Sequence, residues 1–119
     1  MAAKSTHKGS RGEMEARQLL RNLGFTVTRR PRYTAGHDLT LAGGLFVVEV
    51  KRYKVVTPGK VKQWWMQAQR QAQIADALPL LLYRGDRQPW TAVVEVDGQR
   101  ITLDVDGLRR FLASAVPMF

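Results

Sequence analysis

The chain has 119 residues, with 19 Lys or Arg against 10 Asp or Glu, so its net charge is +9. This length fits one compact domain spanning residues 1–119, and an apolar content of 45% is enough to build a core. A small domain this basic usually binds a polyanion, which favours nucleic acid as the partner. An anionic membrane is disfavoured because no predicted helix is both strongly amphipathic and Lys-rich. A solvated basic surface without any partner is the remaining alternative.

The chain contains no cysteine, which excludes disulfides and thiolate metal sites and fits a reducing compartment. Residues 1–12 are polar and basic and have no apolar core, so we do not expect a signal peptide. The apolar run at residues 78–83 is too short to cross a bilayer. We therefore expect a cytoplasmic protein. Residues 1–9 are predicted to form a flexible basic arm that could touch phosphates.

The pattern of apolar residues predicts the element order α-β-β-β-α-β-β-β-α, which implies one mixed β-sheet with helices packed on it. Predicted strands cover residues 25–30, 38–41, 45–51, 80–83, 91–96 and 100–103. The first helix is expected at residues 11–23, between Ser10 as N-cap and Gly24 as a C-terminal stop.

The second helix is expected at residues 60–77, opened by Thr57-Pro58-Gly59 and ended by Pro79. Its predicted sheet-facing line is Val61, Trp64, Ala68, Ala72 and Ala75. The last two strands are predicted to turn at Asp97-Gly98. A short final helix is predicted to be capped by Asp106 and to end near Ala115.

Asp38, Glu49 and Lys51 lie in the predicted hairpin and form the strongest candidate site. A turn at Gly43-Gly44 sets the register, which pairs Leu41 with Phe46, Leu39 with Val48, and Asp38 with Glu49. Carboxylates placed opposite each other are roughly 5 Å apart at Cβ and repel unless a cation lies between them. Mg²⁺ suits such oxygen ligands, and the carbonyl of Val50 is a further candidate ligand. Lys51 leaves the same face of the strand as Glu49, so the set predicts metal-assisted phosphodiester hydrolysis.

Glu49 and Lys51 also have a simpler interpretation, as a solvated ion pair on an alternating edge strand. Glu13 likewise allows two readings, which the pattern leaves about even. It completes a capping box with Ser10, in which its side chain folds back to the start of the helix. It also lies on one helical stripe with Ala16 and Leu20, which would direct it towards the sheet as a third carboxylate.

Several basic and polar residues are candidate DNA contacts. The basic residues near the carboxylates in sequence, predicted to clamp phosphates, are Arg29, Arg30, Arg32, Arg52 and Lys54. Lys8 and Arg11 belong to the basic start of the chain. Three glutamines of the second helix, Gln63, Gln67 and Gln71, could reach a phosphate or a bound water, and the sequence does not decide among them. Trp64 and Trp65 could stack on bases, although adjacent tryptophans on a helix more often belong to a core or a dimer surface.

These motifs together resemble the PD-(D/E)XK nucleases, and among them the archaeal-type Holliday junction resolvases and their phage-borne relatives. The resemblance covers about the first half of the chain well. The matching positions are Lys8-Gly9 followed by Glu13, then Gly24-Phe25, Arg29, Thr34 near a loop serine of the family, Asp38, and Glu49-Val50-Lys51.

The resemblance implies an α/β restriction-endonuclease-like core and a catalytic Glu13 that could share in binding metal. It also implies Mg²⁺ as cofactor, with Mn²⁺ able to substitute, and a homodimer that resolves four-way junctions by paired nicks. Thr34 joins the predicted DNA contacts, and the phage relatives suggest a bacterium or a phage-infected host cell as the location. Among the three glutamines of the second helix, Gln67 is taken as a further predicted DNA contact. The competing interpretations are a general or nicking nuclease, a non-catalytic DNA-binding module, and an interaction protein that uses the Trp pair.

Overall fold

The structure is a computed structural model that describes residues 2–29 and 38–116, with side chains for residues 11–29 and 38–116. Its strands are β1 (Val27–Arg29), β2 (Leu39–Leu41), β3 (Phe46–Tyr53), β4 (Leu78–Gly85), β5 (Thr91–Val96) and β6 (Gln99–Leu103). Its helices are α1 (Ala2–Asn22), α2 (Pro58–Ala75) and α3 (Val105–Ala115). The six strands form one sheet in sequence order, with β3 and β4 parallel and the other neighbours antiparallel. The predicted element order and the mixed sheet with flanking helices are confirmed.

Helices cover both faces of this sheet, because β3 and β4 alternate apolar side chains between the two sides. On one face, α1 and α3 pack against the larger core, which includes Phe46, Val48 and Leu82. On the other face, α2 packs Trp64, Trp65 and Ala68 against Leu81 and Val93. Glu49 and Lys51 alternate with the first set, so they lie on the face that α2 covers.

Helix α1 begins at Ala2, so the predicted start at Arg11 is wrong, and residues 2–9, expected to form a flexible arm, belong to its first turns. The helix continues upstream through Ser5, Thr6 and Gly9 although these residues are weak helix formers. Ser10 lies inside α1 and cannot serve as its N-cap, which removes the capping-box interpretation of Glu13. Gly12 brings α1 close to the sheet, since a Cβ at this position would lie 2.8 Å from Cβ of Arg52.

The hairpin of β2 and β3 has the predicted register, with Leu41 opposite Phe46 and Leu39 opposite Val48. The connecting turn at Ala42–Gly44 uses left-handed backbone, with φ of 67° at Gly43 and 103° at Gly44, which glycine adopts without strain. The ladder ends at Leu39. Asp38 precedes it and donates its backbone N–H to the carbonyl of Val48 at 3.0 Å, which brings the start of β2 against the middle of β3.

Helix α2 begins as predicted, with the Thr57 hydroxyl accepting the Lys60 N–H at 3.3 Å. It ends at Ala75 because Asp76 adopts a left-handed conformation and Ala77 donates back to the Ala72 carbonyl at 2.9 Å. The prediction that Pro79 ends this helix is therefore wrong. Pro79 is the second residue of β4, a strand-start position where its missing N–H is tolerated.

The last two elements follow the prediction with one correction. Asp97-Gly98 forms the two-residue turn between β5 and β6, with positive φ at both residues. The N-cap of α3 is Asp104, whose carboxylate accepts the Gly107 N–H at 2.7 Å, so the prediction of Asp106 as cap is wrong. Asp106 lies in the first turn instead, where its carboxylate pairs with two arginines of α3. Within residues 2–29 and 38–116, no helix is both long and apolar enough to span a bilayer.

Candidate active site

Glu49 is the only buried charged side chain in the described part of the chain, with 3% of its surface exposed. Strand β3 carries it into the layer between the sheet and α2. Its Oε2 accepts a hydrogen bond from the Gln67 amide at 3.1 Å and lies 3.5 Å from Nζ of Lys51. Its Oε1 is buried and has no hydrogen-bond partner among the described residues. An unpaired buried carboxylate oxygen is costly, so a proton or a cation is expected at this oxygen.

Asp38 lies beside Glu49 as the hairpin register predicts. Its Oδ2 accepts the backbone N–H of Val50 at 2.7 Å, which holds the carboxylate next to the segment from Glu49 to Lys51. Burial and then the Asp38 charge raise the pKa of Glu49 to about 7, while Lys51 opposes the shift. The structure therefore brings Asp38, Glu49 and Lys51 together with an excess of negative charge.

A hard divalent cation fits this donor set. Two adjacent carboxylates, one with a buried oxygen that lacks a partner, supply the oxygen ligands that Mg²⁺ prefers. In the described ranges, no three His, Cys, Asp or Glu side chains are grouped closely enough to hold a metal ion. The candidate ligands in these ranges are therefore Asp38 and Glu49, and the carbonyl of Val50 stays a predicted ligand. Mg²⁺ commonly keeps several of its water ligands, and a site with few protein ligands is therefore compatible with this ion.

Glu13 was predicted as a third carboxylate beside Asp38 and Glu49, and the structure gives its side chain a different neighbour. Its helix α1 packs on the sheet face opposite to α2, and the stripe with Ala16 and Leu20 points inwards as predicted. The Glu13 side chain is 17% exposed, and its Oε1 lies 2.8 Å from Nε of Arg29. In this structure Glu13 thus pairs with a predicted DNA contact. Its role as a catalytic residue and metal ligand stays a prediction.

Arg52 is held under α1 by an acidic residue that sequence reasoning missed. Oε1 of Glu15 lies 3.3 Å from Nε of Arg52 and 3.0 Å from a terminal guanidinium nitrogen of Arg84. Arg52 has only 14% of its side chain exposed, so a phosphate contact by this residue would require its ion pair to open. No local sequence signal links Glu15 to two arginines on neighbouring parallel strands.

The other predicted DNA contacts divide into three groups. Arg11 and Lys54 are exposed, and Gln67 is half-buried at the site. Arg30, Arg32 and Thr34, together with the side chain of Lys8, lie outside the described residues. Among the glutamines of α2, the structure selects Gln67 because its amide contacts Glu49, whereas Gln63 is exposed.

Trp64 and Trp65 are core residues, with 6% and 5% of their surfaces exposed. This agrees with the packing interpretation and leaves neither ring open for stacking on bases. The Trp64 ring instead contacts two tyrosines of the sheet, Tyr53 at a centroid distance of 4.9 Å and Tyr83 at 6.0 Å. Sequence reasoning did not single out Tyr53, which is 42% exposed.

Residues 4–107 match the family described as "Phage putative PDDEXK endonuclease". The chain is similar to Protein D14 of Escherichia phage T5, with 28% identity over 117 residues, covering 80% of this chain and 73% of D14. A solved structure of Archaeoglobus fulgidus Hjc, a Holliday junction resolvase, aligns with a TM-score of 0.48 and 17% identity over 76% of this chain and 86% of that one. The family match spans most of the chain and includes Asp38, Glu49 and Lys51. The chain therefore belongs to the phage PD-(D/E)XK endonuclease family.

Proposed function

We propose that this protein is a Mg²⁺-dependent, structure-selective DNA endonuclease that resolves four-way junctions by paired nicks. The observation that carries the proposal is the buried Glu49 carboxylate, which has one oxygen without a partner beside the carboxylate of Asp38. A purely structural ion pair would not need the second carboxylate. This arrangement therefore favours catalysis over a DNA-binding module in which Glu49 and Lys51 only pair with each other.

Asp38, Glu49 and the carbonyl of Val50 would hold the ion, and Mn²⁺ is expected to substitute for Mg²⁺. When bound, such an ion supplies Lewis-acid polarisation of the phosphoryl group. The protein's own contribution begins with Gln67, whose hydrogen bond orients the Glu49 carboxylate. The backbone N–H of Val50 does the same for Asp38. Both carboxylates are therefore in position before the ion binds, which limits the cost of organising the site.

Lys51 is the candidate for stabilising charge on the reacting phosphate. Its ammonium lies 3.5 Å from Oε2 of Glu49 and is 20% exposed, so it can reach a substrate at the surface without leaving the site. An ammonium held in a partly buried site stabilises developing negative charge more strongly than it would in water. Lys51 would therefore orient the attacking water or neutralise the phosphate oxygens as the bond to the leaving oxygen breaks.

DNA affinity is proposed to come from the net charge of +9 rather than from the catalytic groups. Arg11, Arg29 and Lys54 are the described basic residues proposed to contact phosphates. Glu13 would act beside Arg29, where a second ion could bind. Because junction resolution requires two symmetric incisions and each chain carries one proposed site, the active form is proposed to be a homodimer.

The test is cleavage of labelled four-way junction, flap, duplex and single-stranded DNA, each with Mg²⁺ and with a chelator. We expect symmetric nicks in the junction that require Mg²⁺, and their loss in Asp38→Asn, which keeps the shape of the side chain. Cleavage of all substrates at similar rates would support a general nuclease instead. Salt-sensitive binding without Mg²⁺-dependent cleavage of any substrate would contradict the proposal and favour the non-catalytic DNA-binding module.

A further inference from the structure

The face of β3 that carries Glu49 and Lys51 continues to one more side chain, Tyr53. Alternate residues of a strand share a face and lie roughly 6.6 Å apart, so Tyr53 is one such step beyond Lys51. Strand β3 ends at Tyr53. A substrate whose phosphate contacts Lys51 would therefore bring its adjoining nucleotide within reach of this tyrosine.

The Tyr53 ring is exposed and yet held firmly in place. It is 42% exposed, while its ring centroid lies 4.9 Å from that of the buried Trp64. Trp64 is in turn supported by Tyr83, the residue that pairs with Lys51 in the β3–β4 ladder. The aromatic cluster thus connects the exposed ring to the strand pair that carries the catalytic groups.

Positive charge accompanies this ring. Nζ of Lys60 lies over the Tyr53 ring, 5.2 Å from its centroid, and donates a hydrogen bond to the carbonyl of Val55 at 2.9 Å. An exposed aromatic ring beside a cation is the combination that binds single-stranded nucleic acid, by stacking on the base and attracting the phosphate. An isolated exposed tyrosine would be unremarkable. The support from Trp64 and the placement of Lys60 distinguish Tyr53 from that case.

A recess of about 420 Å³ begins at the residues that follow Tyr53 in the chain. Its lining includes Lys54, Val56, Tyr83 and Gln88 but also the carboxylate of Asp86, and it does not include Tyr53 itself. The exposed ring, and not this recess, is therefore the surface on which a base could stack. A base that is paired and stacked in a duplex offers no free face to a tyrosine, so this surface discriminates by strandedness.

We propose that Tyr53 is a stacking platform for an unpaired nucleobase next to the cleaved phosphate, with Lys60 beside it attracting the backbone. This inference rests on the proposed action on DNA and makes it more specific. The preferred junctions would be those with an unpaired nucleotide at the cut site, as at an opened branch point, and a flap serves as a model of that unpaired nucleotide. Stacking of this kind is sequence-tolerant, so the selectivity is for DNA structure and not for base identity.

The test measures binding of the full-length protein in chelator, where cleavage is blocked, to a flap DNA with 2-aminopurine as its first unpaired base. We expect strong quenching of the fluorescence by the wild type and by Tyr53→Phe. Tyr53→Leu, which still covers Trp64 but has no aromatic ring, should lose the quenching and bind the flap about 5- to 100-fold more weakly. Its affinity for a fully paired duplex should change less than about twofold, because duplex binding rests on phosphate contacts.

Ile74→Ala is the matched control, because Ile74 is an apolar residue of α2 with 76% exposure that does not belong to the aromatic cluster. It should bind and quench like the wild type. Equal quenching by Tyr53→Leu, or an equal loss of affinity for flap and duplex, would overturn the inference even if Mg²⁺-dependent cleavage were found. Tyr53-dependent quenching in a protein that cleaves nothing would support this inference and contradict the proposed function.

Discussion

The Gln67 amide donates a hydrogen bond of 3.1 Å to Oε2 of Glu49, although the two residues lie 18 positions apart on a helix and a strand. This contact commits one oxygen of the buried carboxylate to the protein. The other oxygen, Oε1, has no described partner, and it is therefore the oxygen that the structure offers to a cation. We therefore propose that Gln67 is a positioning residue, which would act through Glu49.

Replacing Gln67 by Ala should weaken metal binding without removing the chemistry. Loss of a hydrogen bond that orients a metal ligand typically costs about 10- to 100-fold in metal affinity. The Mg²⁺ concentration for half-maximal cleavage should rise by that factor, while the rate at saturating Mg²⁺ should largely recover. Gln63→Ala, an exposed position one turn earlier on α2, should leave the Mg²⁺ dependence unchanged. An unaltered Mg²⁺ titration in Gln67→Ala would exclude the positioning role.

Lys51→Met should abolish cleavage and spare most DNA binding. The substitution keeps the bulk of the side chain but removes the ammonium proposed to face the reacting phosphate, and losses of this kind reach about 100-fold or more in rate. Single-turnover cleavage and a binding titration measured on the same junction DNA separate the two effects. Lys54→Met is the matched control, since Lys54 is exposed on the same segment: it should cleave and show a shallower salt dependence of binding. Wild-type cleavage by Lys51→Met would refute the assigned role.

The stability of the metal-free protein should fall between pH 5 and pH 8 because of Glu49. Its pKa is about 7 in the folded protein and 4.5 as the reference value, so between these values the folded state holds a proton that the unfolded state has released. The stabilisation is complete below pH 4.5 and is lost as the pH rises through about 7. A shift of this size corresponds to roughly 3 kcal/mol.

Urea unfolding in chelator at several pH values checks this prediction. Between pH 4.5 and pH 8, the free energy of unfolding of Glu49→Gln should change by roughly 3 kcal/mol less than that of the wild type, because the amide does not titrate. Adding Mg²⁺ at pH 8 should restore stability to the wild type but not to Glu49→Gln, since a bound ion replaces the proton. Parallel pH profiles for the two proteins would show that Glu49 is not the titrating group.

Gly12→Ala should destabilise the fold even though alanine is the better helix former. The added Cβ would lie 2.8 Å from Cβ of Arg52, so α1 must move away from β3. Overpacking of this kind costs about 1–3 kcal/mol, against a gain of about 1 kcal/mol in helix propensity. Gly59→Ala in the first turn of α2, where no described atom lies within 4 Å of the new Cβ, should be neutral or stabilising. Thermal unfolding of both variants measures the contrast, and equal midpoints would contradict the close approach.

Most of the fold follows from local patterns in the sequence. The hairpin of β2 and β3 was predictable because its turn glycines and its alternating apolar residues agree on one register. The element order was predictable because the spacing of apolar residues differs between helices and strands. The ends of the helices were harder to predict. At α3, Asp104 and Asp106 are both plausible caps, and only the backbone conformation decides between them.

By itself the sequence determined that Asp38, Glu49 and Lys51 share one site, because they belong to a single hairpin and its register is a local property of the chain. Only the tertiary structure decided that Gln67 is the glutamine at Glu49, that Glu13 pairs with Arg29, and that Glu15 holds Arg52. These contacts join helices to strands across the two faces of the sheet. They depend on how each helix lies over the sheet, which packing of the whole core sets and no local pattern encodes.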